Sequence, residues 1–348
     1  VEKEYSSCRL CPRECGINRT EKKGTCRVGS TLQVSRAALH MWEEPCISGT
    51  SGSGTVFFSG CSLGCVYCQN RAISRGQAGK EIGIPRLTEI FFELEEQGAN
   101  NINLVTGDHY LPSIAEAIRQ AKKEGFRLPF LLNTSSYIKA ETLKRMEGLI
   151  DIYLPDLKYI REREAARYSH APDYPEVAKA AIAEMFRQQP ECRFISVGGS
   201  GGGSGENTEP AETTEPAETT EPAETTEPDE TTDPEEMTEP DEKEGGILTR
   251  GVVVRHMLLP GQLIQAKLIV SYLYRTYGDR IFISLLNQYT PMEETLREKY
   301  PELCRKVTEY EYHSLVEYAV QLGVTRGFVQ EGTAAEESFI PAFDLTGV

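Results

Sequence analysis

No run in the 348 residues is apolar for long enough to cross a membrane. The opening stretch VEKEYSSCRL does not read as a secretory signal. A basic excess is lacking too. The net charge is −16, and all of it sits in one stretch: Glu206 to Glu244 holds 17 acidic residues and one lysine, leaving 36 basic and 36 acidic residues elsewhere. A folded part that is neutral offers no basic surface for nucleic acid. Membrane and nucleic-acid partners are therefore not expected. Cysteine, by contrast, is plentiful, at positions 8, 11, 15, 26, 46, 61, 65, 68, 192 and 304. Disulfide frameworks belong to small secreted domains. Clustered cysteines in a long chain without a signal point to metal and to a reducing cytoplasm.

At 39% hydrophobic content, the length suits one large α/β domain or two ordinary ones. Residues 1–30 form a cysteine-rich head, and 31–54 an irregular connector with a short strand expected at 32–36. From residue 55 onward, strand-like runs alternate with amphipathic segments. The strands are expected at 55–60, 101–106, 129–134, 151–156, 251–258 and 281–286. The helices fall at 86–99, 112–125, 140–149, 175–189 and 260–278, several opening on Pro and closing on Gly. Six successive βα units imply a parallel sheet, and right-handed crossovers curl it into a barrel or part of one. The fold class is thus α/β, an incomplete (β/α)6 barrel.

Residues 197–246 interrupt the fourth unit. A Gly/Ser piece leads into a Thr-Glu-Pro repeat with prolines at 210, 216, 222, 228, 234 and 240. A period of six with almost nothing apolar builds no solenoid. The segment reads as a disordered acidic insertion, natural or engineered: a solvated spacer or an acidic tether for a partner. In a βα barrel such a loop lies on the face opposite the active site.

The stretch FFSGCSLGCVYCQN sets Cys61, Cys65 and Cys68 at C-x3-C-x2-C spacing, directly after the first strand of the barrel. Active sites sit at that end of parallel strands. Thiolates favour zinc or iron–sulfur clusters, and three of them on a cubane leave one iron open for chemistry. Gly60 and Gly64 let the backbone bend, and Tyr67 can shield a cluster from solvent. A zinc knuckle completed by Cys46 or a distant cysteine is the alternative.

The motif CSLGCVYCQN resembles the signature of the radical S-adenosylmethionine (SAM) enzymes. NINLVTGDHY, DIYLPDLKY, VVVRHMLLPG and ISLLNQYTP extend the likeness to a subfamily described as pyruvate formate-lyase activating enzyme-like. The resemblance implies a [4Fe–4S] cluster on Cys61, Cys65 and Cys68, with SAM on the fourth iron. It implies reductive cleavage of SAM to methionine and a 5′-deoxyadenosyl radical, which takes a hydrogen from substrate. A flavodoxin- or ferredoxin-like electron donor comes with it. Related enzymes carry a Gly-Gly-Glu run on the SAM amino group where this chain has Thr106, Gly107 and Asp108. Asn133 ends the third strand. Asp156 and Lys158 resemble an Asp-x-Lys pair near the methionine part of SAM, with an ordinary rim ion pair as the alternative. Arg255 and His256 face opposite sides of one strand, so at most one enters the barrel; His256 is taken as a SAM contact. Asn287, Gln288 and Tyr289 are candidate pocket lining. In WEEPCISG, Glu43 and Glu44 lie near the barrel entrance, and Cys46 reads as a small buried hydrophobe.

Cys8, Cys11, Cys15 and Cys26 have the spacing C-x2-C-x3-C-x10-C, which suits tetrahedral zinc or a second iron–sulfur cluster. CPRECGINR is similar to the head of the same subfamily. The expected function is radical SAM chemistry on a protein or peptide, by likeness to glycyl-radical activases. A small molecule or a peptide crosslink is the second reading. A zinc-bound scaffold with an acidic tether is the rival from another class.

Overall fold

Short runs rich in Val, Ile, Leu and Phe, buried on both faces, make the frame. A parallel sheet with covered faces selects such runs. The structure is a computed structural model describing residues 1–196, 246–292, 297–330 and 341–348. Its strands are β1 (Leu32–His40), β2 (Ser53–Phe58), β3 (Lys80–Ile82), β4 (Ile102–Val105), β5 (Phe130–Thr134), β6 (Ile152–Pro155), β7 (Arg193–Ile195), β8 (Ile247–Met257), β9 (Phe282–Leu286) and β10 (Gly327–Val329). Its helices are α1 (Glu2–Tyr5), α2 (Pro45–Ser48), α3 (Arg71–Ser74), α4 (Ile84–Glu96), α5 (Leu111–Lys123), α6 (Ala140–Lys144), α7 (Glu162–Ser169), α8 (Tyr174–Gln188), α9 (Leu263–Tyr277) and α10 (Glu309–Leu322).

The sheet order is β10-β9-β8-β6-β5-β4-β2-β1-β3, with β7 paired to β8. All pairings from β2 to β10 along this path are parallel, whereas β1 lies antiparallel to β2 and to β3. Among the described residues no hydrogen bonds join the two edges, so the barrel is partial.

All six expected barrel strands are present, within a few residues of their expected bounds. The short elements α1, α2, α3, β3 and β7 lie outside the expected set, and three further things differ. The strand expected at 32–36 runs on to His40, because residues 36–40 find a partner in β2. Helices α7 and α10 and the short strand β10 also lie outside the expected set. α10 is fixed by a capping box: the Thr308 hydroxyl accepts from Glu311 N and Glu311 reaches back to Thr308 N. The helix expected over 140–149 ends as a helix at Lys144.

Residues 197–245 lie outside the described residues. Their flanks do not: Ile195 pairs with Ile247, so the chain leaves and returns side by side at the amino end of β8. That is the face opposite the strand ends that carry the cysteines, as expected. No helix among the described residues is long and apolar enough to cross a membrane.

Strand alternation separates two interiors. Leu132, Tyr153, Val252 and Val254 face outward into the main core beneath the helices. Leu131, Ile152, Leu154, Val253 and Phe282 face inward and pack with Cys46 and Ile47 of α2, flooring the barrel. The next inward residues up the same strands are Asn133, Asp156, Arg255 and Ser284, and there the lining turns polar.

Candidate active site

Above that floor opens a cavity of about 700 Å³. Cys61, Cys65 and Cys68 line one side; Thr106, Asn133, Asp156, Lys158 and Arg255 line the others. The loop 59–70 turns sharply. Gly60 has φ +88°, and a Cβ on it would lie 2.7 Å from the Cys26 carbonyl oxygen and under 3 Å from Val28. Cys61 N donates to that same Cys26 carbonyl at 3.2 Å. The cysteine-rich head therefore braces the cysteine loop directly.

Arg13 of the head does more. Its guanidinium donates to the carbonyls of Ser62 (3.0 Å), Leu63 (3.3 Å), Ser169 (3.2 Å) and His170 (2.6 Å), clamping the loop against the end of α7. Val66 N donates to the Tyr168 carbonyl at 2.8 Å and closes the same seam.

A charged lattice stands across the cavity. Arg255 donates to Asp156 Oδ1 (3.1 Å), Glu43 Oε2 (3.1 Å) and Asn133 Oδ1 (2.6 Å). Glu43 Oε1 also accepts from Asn103 at 2.9 Å and Asn133 at 3.3 Å. Lys158 Nζ reaches Asp156 Oδ2 at 2.7 Å. Burial pushes the Asp156 carboxyl up, but the charges of Lys158 and Arg255 outweigh it and hold its pKa below the usual carboxylate range. Burial raises that of Glu44, whose Oε2 has no hydrogen-bond partner. The Tyr174 hydroxyl lies 2.9 Å from Lys158 N and from the carbonyls of Ser135 and Asp156, fixing the β6 strand end.

Alternation decides between the two neighbours on β8. Arg255 points inward. His256 is buried outside, its Nδ1 2.7 Å from the Leu157 carbonyl, and burial pushes its pKa down to about 4. His256, the residue expected at SAM, does not line the cavity. Neither does Asp108. It is 2% exposed, its Oδ1 has no partner, and burial pushes its pKa up to about 7. Gly107 faces packing instead: a Cβ there would lie 2.6 Å from Ile114 Cδ1. Thr106 does line the cavity, and at φ +58° it occupies the left-handed region, costly for a β-branched residue. Gln288 lines the wall and its carbonyl accepts from Gln69; Tyr289 is buried and donates to the Leu303 carbonyl.

No disulfide joins any of the ten cysteines. Among the described residues no three His, Cys, Asp or Glu side chains are gathered as ligands of a single ion. A cluster asks for something else: one thiolate per iron corner around a shared cavity. Cys61, Cys65 and Cys68 all line the one cavity. Burial, then the charge of Cys65, pushes the Cys61 thiol up to about 11, so a cationic centre is what would hold it as thiolate.

The model of the Radical SAM superfamily matches residues 55–215. Residues 55–215, a little under half of the chain, are thus similar to radical SAM domains. Such domains bind a [4Fe–4S] cluster and SAM, and the match begins within β2, just ahead of the cysteine loop. The chain is 28% identical over 183 residues to the uncharacterized protein MJ0674 of Methanocaldococcus jannaschii, covering 50% of this chain and 52% of that protein. It thus spans about half the length of the curated relative it matches. Among solved structures it is similar to SuiB of Streptococcus suis bound to its precursor peptide SuiA (10% identity, 79% of this chain, 47% of that one, TM-score 0.41). It is also similar to the FeFe-hydrogenase maturase HydG of Carboxydothermus hydrogenoformans (13%, 82% and 59%, TM-score 0.38). Likenesses at this level carry no argument about what this chain acts on.

The sequence brought forward the three cysteines, Thr106, Asn133, Asp156 and Lys158. It did not single out Arg13, Ser169, Tyr159 or Tyr174, because each acts through a partner far away in the chain. The one legible signal was the inward alternation of Arg255 with Val253.

Proposed function

We propose that this protein is a radical SAM enzyme whose cluster sits on Cys61, Cys65 and Cys68 and whose SAM fills the cavity beside them. The observation that carries this reading is the meeting of three thiols with a half-buried lysine, arginine and aspartate around one cavity at the carboxyl ends of parallel strands. Bound there, cluster and SAM would supply reductive cleavage of a sulfonium bond and hydrogen abstraction.

The chain's own residues bind and orient. Lys158 presents a cation to a carboxylate, and Asp156 and the Thr106 hydroxyl present acceptors to an amino group. Arg255 and Glu43 hold Asn133 and Asp156 in place. The closed apolar floor of Leu131, Leu154 and Val253 excludes water from below. For Cys8, Cys11, Cys15 and Cys26 the reading is a second centre, an auxiliary cluster rather than zinc, since no three of them are gathered around a single ion. Its support is Arg19, a 2%-exposed cation over Tyr5 that lies beside the Cys8 sulfur. Buried charge calls for an anion.

For substrate, the sequence likeness to glycyl-radical activases favours a protein or peptide, with an electron from a flavodoxin- or ferredoxin-like donor. The test is anaerobic reconstitution. The wild type should bind iron and sulfide and form 5′-deoxyadenosine from SAM under reductant, and Cys65→Ala should bind less iron and form no 5′-deoxyadenosine. A colourless protein holding zinc alone would refute the enzyme reading. A glycyl radical in electron paramagnetic resonance, on mixing with candidate glycyl-radical proteins, would support the activase; its absence across them would favour a small-molecule or crosslinked-peptide substrate.

A further inference from the structure

Each of the three sulfurs has a donor beside it: Leu63 N lies 3.4 Å from Cys61 Sγ, the Ser74 hydroxyl is beside Cys68, and Cys65 faces a buried serine. Ser169, the last residue of α7, is fully buried and donates from Oγ to Cys65 Sγ at 2.9 Å. The Tyr159 hydroxyl lies 2.8 Å from Ser169 Oγ and 2.7 Å from the Tyr67 hydroxyl. Tyr159 is fully buried and Tyr67 nearly so. The row Tyr67–Tyr159–Ser169–Cys65 thus runs by direct contacts through the wall of the cavity, and Tyr67 belongs to the cysteine loop itself.

The contact is built. Arg13 holds the carbonyls of Ser62, Leu63, Ser169 and His170 together, and Val66 N is tied to the Tyr168 carbonyl. Loop and helix end cannot drift apart without breaking these bonds.

We infer that Ser169 is a positioning residue that sets the reduction potential of the cluster through Cys65; this rests on the radical SAM reading above. A thiolate only accepts hydrogen bonds. Each hydroxyl in the row carries one proton and rotates freely. With Cys65 as thiolate, Ser169 gives its proton to sulfur, which leaves its oxygen to accept from the Tyr159 hydroxyl. Aligned in a low dielectric, the donors strengthen one another. Reduction adds one electron and one negative charge to the cluster, and no proton leaves Ser169. A hydrogen bond to a cluster thiolate favours the more negative state, so it raises the potential.

Reconstituted full-length wild type, Ser169→Ala, Ser169→Thr and Tyr159→Phe are titrated electrochemically with viologen mediators, without SAM. Iron and sulfide are counted in each. Ser169→Ala is expected to carry wild-type iron with a midpoint shifted to more negative potential. Ser169→Thr, which keeps the hydroxyl, should restore it. Tyr159→Phe, which leaves Ser169 but removes its donor, should shift it the same way by less. Equal midpoints in iron-loaded wild type, Ser169→Ala and Tyr159→Phe would overturn the inference and leave the enzyme reading standing. Wild type without an iron–sulfur cluster would overturn both. Should Ser169→Ala fail to load, Tyr159→Phe against Ser169→Thr decides by the same criterion.

Discussion

Replacing Arg255 with methionine keeps the length and apolar stem of the side chain and removes its charge from a site where it is 14% exposed. Two carboxylates then face each other's field with less to hold them: Glu43, 9% exposed, and Asp156, 19% exposed. Breaking a buried ion pair from one side costs about 3–5 kcal/mol, because the remaining charge stays buried. Asp156 keeps Lys158 at 2.7 Å, and Glu43 keeps the amides of Asn103 and Asn133. The lower end, about 3 kcal/mol, is therefore expected. With a urea m-value of about 3 kcal/mol/M for a chain of this size, the midpoint falls by about 1 M. Adding Glu43→Gln should return part of the loss, since it removes the uncompensated charge. The pH dependence has a definite sign. In the wild type Asp156 has a depressed pKa, so its contribution is present above the ordinary Asp value and lost as pH falls below it. In the variant Asp156 loses part of that depression and protonates at higher pH, so acidification stabilises the variant relative to the wild type. The gap should hold from pH 7 down to the ordinary Asp range and narrow below it. A loss under about 1 kcal/mol at pH 7, or a gap that widens on acidification, would refute the view of Arg255 as the charge that holds the lattice together.

Four further outcomes are expected. Arg13→Ala should unfold at nearly the wild-type temperature of the barrel but retain less iron after desalting, because the cysteine loop loses its clamp; iron analysis checks this. Gly60→Ala meets both a φ of +88° and the Cys26 carbonyl at 2.7 Å, and should express with a destabilised fold or without iron. Thr106→Gly relieves a left-handed threonine, a strain of about 1–3 kcal/mol against a glycine entropy cost of about 0.5–1 kcal/mol. It should therefore raise the melting temperature while weakening SAM binding in calorimetry. Glu311, held down to a pKa of about 2, chiefly by its hydrogen bonds to Arg305, caps α10 and anchors Gly261 N. Glu311→Gln should cost about 1–3 kcal/mol at pH 6. That difference should vanish as pH falls from the ordinary Glu range toward about 2, measured by thermal melts.

Local patterns carried much of this molecule. The six barrel strands could be located because each is a short apolar run between turn residues, and the cysteine loop because three thiols in eight positions have few physical uses. Period-two alternation even held the answer at β8: Val253 and Arg255 share a face, and His256 belongs to the other. The polar strand ends at Asn133, Asp156 and Lys158 were visible for the same reason, since a buried strand turns polar only where something other than apolar packing meets it.

What the tertiary structure decided is everything that joins residues far apart in the chain. Arg13 meets Ser169, Cys26 meets Cys61, Glu43 meets Arg255, and Ser169 meets Cys65; none of these pairs has a spacing signal, because their distance depends on how the helices cross the sheet. Asp108 looked like a ligand in sequence, yet the fold buries it outside the cavity lining. The amino-acid order by itself settled which segments form strands and where the thiols lie along them. Only the fold settled which charges face one another in the buried cavity, because electrostatic partners are chosen by position in space and a linear order does not contain that distance.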